Sequence, residues 1–405
     1  MLVNLWRHHS SIQTSQNRKM KRKEVVISGS QQLPFEMKGQ LMVYCLIIIG
    51  GLVESKWVDA ASSSKKVGCY FVFGDSQADN GNNNDLLERE YGNARADYKP
   101  YGIDFSKQSI PTGRFTNGRN VPDFIAKFLG LHNYIPPLKT TKSRTILKGV
   151  NYASGGAGIL CETGRTLGQV SSIKKQLENH NYTISQMHGL LGSESKIRRY
   201  LRRCLYTVQI GSNDYLNNYF MPKLYQTSRQ YTPQAYAIAL NKELSRQLKI
   251  LYRQGARKVA IFGVGSIGCT PYARVNFEHK GSPCVDNINN AIQLFNTGLK
   301  SLVEQLNTNL PTAQFTFIDV FKISTVDPSS YGKMVLDAPC CEVEVGGTQC
   351  APFGKVCGNR RDYMFWDGVH PTEIGFRLVA SRAFNAKQPG DTYPFDINHL
   401  VHLSK

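Results

Sequence analysis

The chain has 405 residues, of which 41% are hydrophobic and 20% are charged, and its formal net charge at pH 7 is +19. This is the composition of an ordinary globular protein, and the length allows one large domain or two smaller ones. The positive charge favours acidic polymers or anionic surfaces, but no basic helix or aromatic-basic repeat of the recognition type is recognisable, which argues against a nucleic-acid-binding protein.

The N-terminal region contains a short apolar run that predicts a signal peptide. Leu41–Val53 is thirteen apolar or glycine residues long, which is short for a membrane span and typical of a signal-peptide core. Lys38 supplies a positive charge in front of it, and small residues predict cleavage near Ala60 or Ala61. An uncleaved membrane anchor is the alternative, and the short span disfavours it. No stable membrane insertion is therefore expected.

The same region sets the predicted domain boundaries. Residues 1–61 are predicted to be an N-terminal extension and signal peptide, and residues 62–405 a single domain. Met37 stands directly before Lys38, so translation could begin there, and residues 1–36 would then be an upstream extension of the gene. No internal repeat and no low-complexity linker is recognisable after Lys66, which favours one domain.

Apolar runs that alternate with helical patterns predict an α/β fold. The runs typical of buried strands are Val67–Phe73, Leu147–Ala153, Cys204–Ile210, Lys258–Phe262 and Ala313–Val320. Residues 233–255 and 284–308 carry apolar side chains at helical spacing. The positions predicted to be buried on these two helices are Leu240, Leu244, Leu248, Leu251, Ile288, Ile292, Phe295, Leu299, Leu302 and Leu306. Strands that alternate with helices predict a parallel sheet with helices on both sides.

Small and polar residues follow the predicted strands. They are Gly74-Asp75-Ser76, Ser154-Gly155-Gly156 and Gly211-Ser212-Asn213-Asp214. In an open α/β sheet, ligands bind beyond the carboxyl ends of the strands. Near the C-terminus, Asp367 precedes His370 by three residues. A serine, sources of oxyanion donors and an Asp/His pair together predict a site for acyl transfer.

Each of these residues has a predicted role. Ser76 is the predicted nucleophile, because His370 can take its proton while Asp367 orients the imidazole. The predicted oxyanion donors are the backbone N–H groups of Ser76 and Gly156 and the side-chain amide of Asn213. Structural alternatives remain open at this point. Ser76 could only cap a helix, His370 could be a loop histidine, and Asn213 could brace a turn.

Together these blocks resemble the GDSL, or SGNH, esterase/lipases, and specifically the secreted plant branch of that family. The resemblance covers roughly Val67 to Ala386 and is carried by FVFGDSQADNGNNN, GRFTNGRNVPDFIA, GVNYASGGAGI, IGSNDY and FWDGVHPTE. It implies that Ser76, Asp367 and His370 form a catalytic triad.

The resemblance also implies a fold and an oxyanion hole. The implied fold is a three-layer α/β/α arrangement with a parallel sheet of about five strands, the flavodoxin-like architecture of an SGNH hydrolase catalytic domain. The oxyanion hole would be formed by Ser76, Gly156 and Asn213, with Gly155 as the alternative glycine. Gln77 stands where the family name implies leucine, which bears on substrate preference. No metal and no organic cofactor are implied.

The polar run after Ser76 is predicted to support the site. Asp75, Asp79 and Asn80 can accept hydrogen bonds from the free N–H groups at the start of a helix. We therefore expect a strand-to-helix turn here that is held by side-chain hydrogen bonds.

The cysteines predict disulfides in an exported chain. Ten are present, and nine remain once Cys45 leaves with the signal peptide. Four lie close together, at Cys340, Cys341, Cys350 and Cys357, with no C-x-x-C pair and no histidine among them, so zinc is not expected. Two short-range disulfides are predicted within this cluster.

The other cysteines give one more predicted bridge. Cys269 and Cys284 bracket a loop and are predicted to pair. Cys69 and Cys204 lie in strand-like runs and are predicted to be buried thiols, whereas Cys161 is left unassigned. An odd number leaves at least one cysteine without a partner in the chain. A single sequon predicts glycosylation of Asn181.

The resemblance implies a secreted serine esterase or lipase of the cell wall or apoplast. An acyltransferase with the same triad and a secreted, non-catalytic binding protein are the alternatives. Lipids, cutin-like polyesters and acetylated polysaccharides are open as substrates, and an acidic cell-wall polymer is a possible partner. A nucleotide site at Gly263–Gly268 is disfavoured, because Pro271 interrupts the helix that the G-x-G-x-x-G motif requires.

Overall fold

The computed structural model describes residues 67–86, 94–325 and 333–403. The signal-peptide core and its cleavage site, predicted within residues 1–61, lie outside these ranges and stay predictions. Residues Lys65–Lys405 group into one compact unit by their internal contacts. Within the described ranges, no helix is long and apolar enough to cross a bilayer.

The central sheet is mainly parallel. Its strands, in spatial order, are β1 (Tyr70–Gly74), β2 (Leu205–Gln209), β3 (Lys258–Phe262), β4 (Gln314–Ile318) and β7 (Thr392–Tyr393). Strands β1 to β4 pair in parallel, and β7 pairs antiparallel with β4. A separate two-stranded sheet joins β5 (Val335–Pro339) and β6 (Tyr363–Phe365). The predicted α/β class is confirmed.

One predicted strand is wrong. The run Leu147–Ala153 touches β1 at an isolated parallel bridge, where Val72 donates to the Val150 carbonyl at 3.0 Å and Tyr152 donates to the Val72 carbonyl at 2.8 Å. Gly149 has a φ of 122°, which lies outside the β region and stops the ladder from extending towards the N-terminus. The fifth strand of the sheet is β7, which is too short to show a periodic pattern in the sequence.

Helices cover both faces of the sheet. Within the described ranges they are α1 (Val121–Phe128), α2 (Ile173–Leu191), α3 (Glu194–Leu201), α4 (Ser212–Asp214), α5 (Thr227–Gln230), α6 (Pro233–Arg253), α7 (Pro271–Asn276), α8 (Asp286–Asn309), α9 (Val320–Ser324), α10 (Glu373–Phe384) and α11 (Ile397–His402). A π-helical turn, Tyr215–Tyr219, follows α4. The apolar positions predicted to be buried on residues 233–255 and 284–308 are buried on α6 and α8.

Two apolar cores lie between these three layers. Successive residues of a strand point to opposite faces of the sheet. In β1, Phe71 and Phe73 therefore join the core beneath α2, α3, α6 and α8, while Tyr70 and Val72 join the core beneath α1, α10 and α11. Every residue of β1 and β2 is buried, as expected for parallel strands covered on both sides. The three-layer arrangement agrees with the prediction.

A disulfide joins the starts of β1 and β2 and corrects one prediction. Cys69 and Cys204 are predicted to be free thiols, but they are bonded to each other with 4.8 Å between their Cα atoms. The reason is the strand register, since Tyr70 pairs with Leu205 and the residues just before them must then be neighbours. Both cysteines are buried as predicted, but their proximity depends on which strands pair.

The other predicted disulfides are present. Cys340 bonds to Cys357, Cys341 bonds to Cys350, and the third predicted bridge joins the two cysteines that bracket the loop before α8. Cys161 is free and exposed. It accounts for the odd cysteine expected in the mature chain.

Removal of the bridge between β1 and β2 should destabilise the domain. The Cys69–Cys204 disulfide spans 135 residues, and the chain-entropy model gives about 5 kcal/mol for closing a loop of this length, with about 2–5 kcal/mol typically measured. We therefore expect the double variant C69A/C204A to lose about 2–5 kcal/mol in chemical unfolding. The variant C161A, which removes a free thiol, should unfold like the wild type. Equal stability of all three proteins would contradict the prediction.

Candidate active site

The turn that carries Ser76 is held where β1 ends. Asp75 N–H continues the ladder by donating to the Gln209 carbonyl at 3.0 Å. Gln176 acts on the other side of Gly74, accepting from its N–H at 2.9 Å and donating to its carbonyl at 2.7 Å. A Cβ on Gly74, which has a φ of 159°, would lie 2.4 Å from the Gln209 carbonyl oxygen. Only glycine therefore fits directly before Asp75 and Ser76.

Ser76, His370 and Asp367 form one continuous chain of hydrogen bonds. His370 Nε2 lies 2.7 Å from Ser76 Oγ, and His370 Nδ1 lies 2.8 Å from Asp367 Oδ2. The carboxylate can only accept, so Nδ1 carries the proton and Nε2 is left to accept from the serine hydroxyl. The structure brings together all three residues predicted as a triad, in the geometry that a serine nucleophile and its base require.

Asp367 is surrounded by donors. Its Oδ1 accepts from the backbone N–H groups of Val369 at 2.9 Å and His370 at 2.7 Å. Its Oδ2 accepts from the Tyr101 hydroxyl at 2.7 Å. Burial, followed by the negative charge of Asp367, raises the pKa of Tyr101 well above its usual value, so the phenol stays protonated and donates. Sequence analysis missed Tyr101, because nothing in its local sequence marks it.

The cysteine cluster packs against this carboxylate. Tyr101 accepts a hydrogen bond from the Cys350 N–H at 3.1 Å, and the Tyr98 hydroxyl donates to the Cys350 carbonyl at 2.9 Å. Cys341, the disulfide partner of Cys350, donates its N–H to the Trp366 carbonyl at 2.8 Å. The two short-range disulfides therefore contact both Tyr101 and the residue immediately before Asp367.

Each of the three predicted oxyanion donors keeps a hydrogen that no described residue accepts. Asn213 Nδ2 donates to the Ala157 carbonyl at 3.0 Å, which leaves its second hydrogen available. Asn213 Oδ1 accepts from Asn217 at 2.6 Å, which fixes the orientation of the amide. The backbone N–H groups of Ser76 and Gly156 donate to no acceptor among the described residues. These are the groups predicted for an oxyanion hole.

Asp79 distinguishes between the two candidate glycines. Its Oδ2 accepts from the Gly155 N–H at 2.9 Å, so that donor is occupied. Gly156 follows in the left-handed region, with a φ of 78°, and its N–H is unpaired within the described ranges. The geometry therefore favours Gly156 over Gly155 as the donor for an oxyanion.

The polar run after Ser76 supports the site differently from the prediction. Residues 75–86 form consecutive turns and no helix, so the predicted strand-to-helix turn is wrong. Their side chains bind loop backbone instead of capping a helix. Asn82 donates to the Ala153 carbonyl at 2.7 Å, and Asn83 donates to the Gly155 carbonyl at 2.9 Å and accepts from the Ser154 hydroxyl at 2.6 Å. The run thus holds the loop that carries Gly156.

The three side chains singled out in this run are all buried. Asp79 Oδ1 accepts from the N–H groups of Gly81 and Asn82, both at 2.8 Å, and burial raises its pKa to about 6. Burial raises the pKa of Asp75 to about 7, and only one of its carboxyl oxygens has a partner. Asn80 donates to the Ile135 carbonyl. Buried carboxyls of this kind are common next to functional sites.

A further buried carboxyl, which sequence analysis did not assign, holds the segment after Gly156. Asp214 accepts from Ile159 N–H at 2.7 Å, from Leu160 N–H at 3.1 Å and from the Thr163 hydroxyl at 2.8 Å. Burial raises its pKa to about 6. Its position directly after Asn213 was the only sequence signal that could have identified it.

An apolar cavity of about 650 Å³ opens beside the hydrogen-bonded chain. Gln77 and Val369, the neighbours of Ser76 and His370, both line it. Much of the remaining wall is apolar and includes Ile267, Met334, Leu336, Met364, Phe376 and Val379. Gln77 is held by Gln209, which donates to its Oε1 at 3.0 Å. The cavity size is within the usual range for small-molecule sites, about 300–1,000 Å³.

Two further predictions concern glycosylation and metal binding. Asn181, the predicted glycosylation site, is an exposed residue of α2. In the described part of the chain, no group of three or more His, Cys, Asp or Glu side chains is placed to hold a metal ion.

Comparison with known proteins gives several matches. The chain matches the family model described as GDSL-like Lipase/Acylhydrolase over residues 70–383. Two GDSL esterase/lipases of Arabidopsis thaliana are 46% and 45% identical to it, with alignments that cover 91% of this chain and 100% of each relative. A solved phospholipase A1 from Streptomyces albidoflavus NA297 is 14% identical over 78% of this chain and 100% of that one, with a TM-score of 0.35.

Removal of the Tyr101 hydroxyl should weaken the activation of Ser76. A hydrogen bond to a charged group contributes about 1.5–3 kcal/mol, and we expect Tyr101→Phe to slow the reaction of Ser76 with an organophosphonate by about tenfold. Tyr98→Phe is the matched control, because its hydroxyl bonds to the Cys350 carbonyl and not to Asp367. An equal loss in both variants would show that the effect comes from the cysteine cluster and not from the carboxylate.

Proposed function

We propose that this chain, which belongs to the GDSL-like lipase/acylhydrolase family and is a carboxylic ester hydrolase, acts through Ser76 as nucleophile, His370 as general base and Asp367 as the orienting carboxylate. The observation that carries the proposal is the pair of hydrogen bonds at 2.7 and 2.8 Å that links the three side chains. A structural serine cap would need no imidazole partner. A purely structural histidine would not need its Nε2 directed at a hydroxyl.

The first half of the reaction transfers the acyl group to the protein. His370 Nε2 takes the Ser76 proton as Oγ bonds to the ester carbonyl carbon, and the carbonyl oxygen becomes negative. The N–H groups of Ser76 and Gly156 and the free hydrogen of Asn213 Nδ2 stabilise that charge. The imidazolium then gives its proton to the leaving alcohol, and the carbon–oxygen bond to that alcohol breaks.

The second half releases the acid and regenerates the serine. Water takes the place of the alcohol, His370 accepts one of its protons, and the hydroxide oxygen bonds to the acyl carbon. When the intermediate collapses, the same proton returns to Ser76 Oγ. Asp367 stabilises the imidazolium in both halves, and the donors to its two oxygens hold the carboxylate in place.

The apolar cavity beside Ser76 supports fatty-acyl esters as the substrate class. Burial of a fatty-acyl chain in this cavity would contribute about 0.8 kcal/mol of binding free energy for each methylene group removed from water. An acetyl group would leave most of the 650 Å³ unfilled. Among the lipids, cutin-like polyesters and acetylated polysaccharides considered from the sequence, the cavity therefore favours the substrates with long acyl chains.

Export to the cell wall or apoplast is also part of the proposal. The four disulfides of the described residues are consistent with an oxidising compartment. Asn181 is exposed on α2, so its side chain is accessible to a glycan. The large positive charge favours an acidic cell-wall polymer as a partner.

Ser76→Ala should abolish ester hydrolysis without unfolding the protein. We expect a loss of at least about 10³-fold in kcat, since removal of a triad nucleophile leaves only the oxyanion hole and substrate binding. A series of p-nitrophenyl esters of increasing chain length measures both the loss and the acyl preference. Ser212→Ala, at the end of the neighbouring strand, should retain activity within a few fold. Full activity in folded Ser76→Ala protein would refute the nucleophile.

N-terminal sequencing of protein collected from the medium of plant cells tests export. We expect the mature chain to begin near Ala61 or Ser62 and to carry a glycan that the Asn181→Gln variant lacks. A chain that retains Leu41–Val53 would instead support the membrane anchor considered from the sequence.

A further inference from the structure

Four cationic side chains form a continuous stripe along α6. Lys242, Arg246, Lys249 and Arg253 follow one another at intervals of four, three and four residues, which places them on one side of the helix. All four are exposed, and the leucines of α6 are buried on the other side. Arg246 pairs with Glu243 at 2.7 Å, and the other three cations leave the solvent side of α6 with a net positive charge.

The end of α3 adds a second group of cations. Arg198, Arg199, Arg202 and Arg203 are all exposed. Arg198 pairs with Glu194 at 2.6 Å, and no acidic partner is found for the other three among the described residues. Helix α2 contacts both α3 and α6, so the three helices form one surface.

Acidic residues are too few here to neutralise the cations. Residues 194–203 contain five lysines and arginines against one glutamate, and residues 242–253 contain four against one. The two segments thus carry net charges of +4 and +3. We call the exposed lysines and arginines of residues 194–203 and 242–253 the basic face.

Like charges on the basic face and next to it lie close enough to repel one another. Burial lowers the pKa of Arg257, and the positive charges of Arg202 and Arg198 lower it further. Burial likewise lowers the pKa of Lys258, with Arg203 adding to the shift. A bound anion would relieve this repulsion.

A groove of about 630 Å³ runs between α2, α3 and α6. Four cations, Lys174, Arg198, Arg246 and Arg253, line it together with the carboxylates of Glu178 and Glu194, and Ile184 and Ile250 add apolar surface. This combination suits an elongated ligand with repeated negative groups and partly apolar faces. Sugar rings with carboxylate substituents have this chemistry, and the planar guanidinium groups match carboxylates with two parallel hydrogen bonds.

The basic face and the active site lie at opposite edges of the sheet. Helix α3 leads into the start of β2, and α6 leads into the start of β3. Ser76 and Asn213 follow the ends of β1 and β2, which run parallel to each other and to β3. At about 3.3 Å per residue, a five-residue strand separates the two edges by about 15 Å. A polymer bound at the basic face would therefore leave the active site open.

We propose that the basic face binds a linear polysaccharide that carries carboxylate groups, and that this contact holds the enzyme on its matrix while the active site stays free. Repeated carboxylates match the stripe on α6 and the arginines of α3. The four disulfides of the described residues are consistent with a compartment in which such polymers, and not nucleic acids, are met. The choice of this polymer rests on the proposed export, whereas the binding does not depend on the proposed catalytic residues.

Binding of a fluorescently labelled oligogalacturonate, measured by anisotropy, tests the proposal. We expect wild-type protein to bind it, to bind labelled dextran much more weakly, and to lose about tenfold in affinity between roughly 50 and 200 mM NaCl, because exposed charges are screened by salt. The variant R199Q/R202Q/K249Q/R253Q should bind about tenfold more weakly at the lower salt concentration, while hydrolysing a soluble p-nitrophenyl ester at the wild-type rate.

A matched control removes the same amount of charge elsewhere. The variant K107Q/K223Q/K355Q/K387Q changes four exposed lysines outside the basic face and should retain wild-type affinity. An equal loss in both variants would show that only net charge matters and would overturn the proposal. So would tighter binding to duplex DNA or phosphatidylserine vesicles than to oligogalacturonate at the same salt concentration.

The predicted glycan requires one more comparison, since Asn181 also lines the groove. Wild-type and Asn181→Gln protein should both bind the oligomer. Binding by the Asn181→Gln protein alone would show that the glycan covers this face in the wild-type protein, and would overturn the proposal that the contact holds the enzyme on its matrix. No binding by either protein would refute the proposal.

Discussion

The hydrogen bond between Ser76 Oγ and His370 Nε2 joins residues that are 294 positions apart in the chain. Both of its ends are fixed by backbone hydrogen bonds. Gly74 and Gln176 hold the serine turn at the end of β1. On the other side, Trp366 N–H donates to the His370 carbonyl at 2.8 Å, which closes the loop around Asp367. Pre-positioned groups of this kind lower the entropy lost when substrate, nucleophile and base come together.

Keeping the surroundings of this bond in place requires burial of polar groups that would otherwise be hydrated. Burial raises the pKa of Asp75, Asp79 and Asp214, which means that the fold disfavours their charged forms. In return, Asp79 holds the Gly155 N–H at 2.9 Å and Asp214 holds the Ile159 N–H at 2.7 Å, on either side of Gly156. Without these two carboxyls, the loop that carries Gly156 would lose both hydrogen bonds.

The residues proposed as the triad and the oxyanion donors could be singled out from sequence because acyl-transfer chemistry restricts the residue types and because several of them follow predicted strands. Ser76, Gly156 and Asn213 each come shortly after an apolar run, and parallel strands bring their carboxyl ends to one edge of a sheet. Asp367 and His370 are separated by three residues, so one local turn presents both. The buried faces of α6 and α8 could also be predicted from sequence, since helical periodicity is a local property.

Features that depend on which segments become neighbours were decided by the tertiary structure alone. Strand register makes Cys69 and Cys204 a disulfide, and neither cysteine has a local signal of its partner. Tyr101 reaches Asp367 across 266 positions, and the cations of α3 and α6 become one surface only when α2 brings their helices together. The sequence by itself determined the local features, which are the helical periodicity, the residue types of the site and the ends of the strands. Long-range pairing has no local signal, because it depends on the packing of the whole domain.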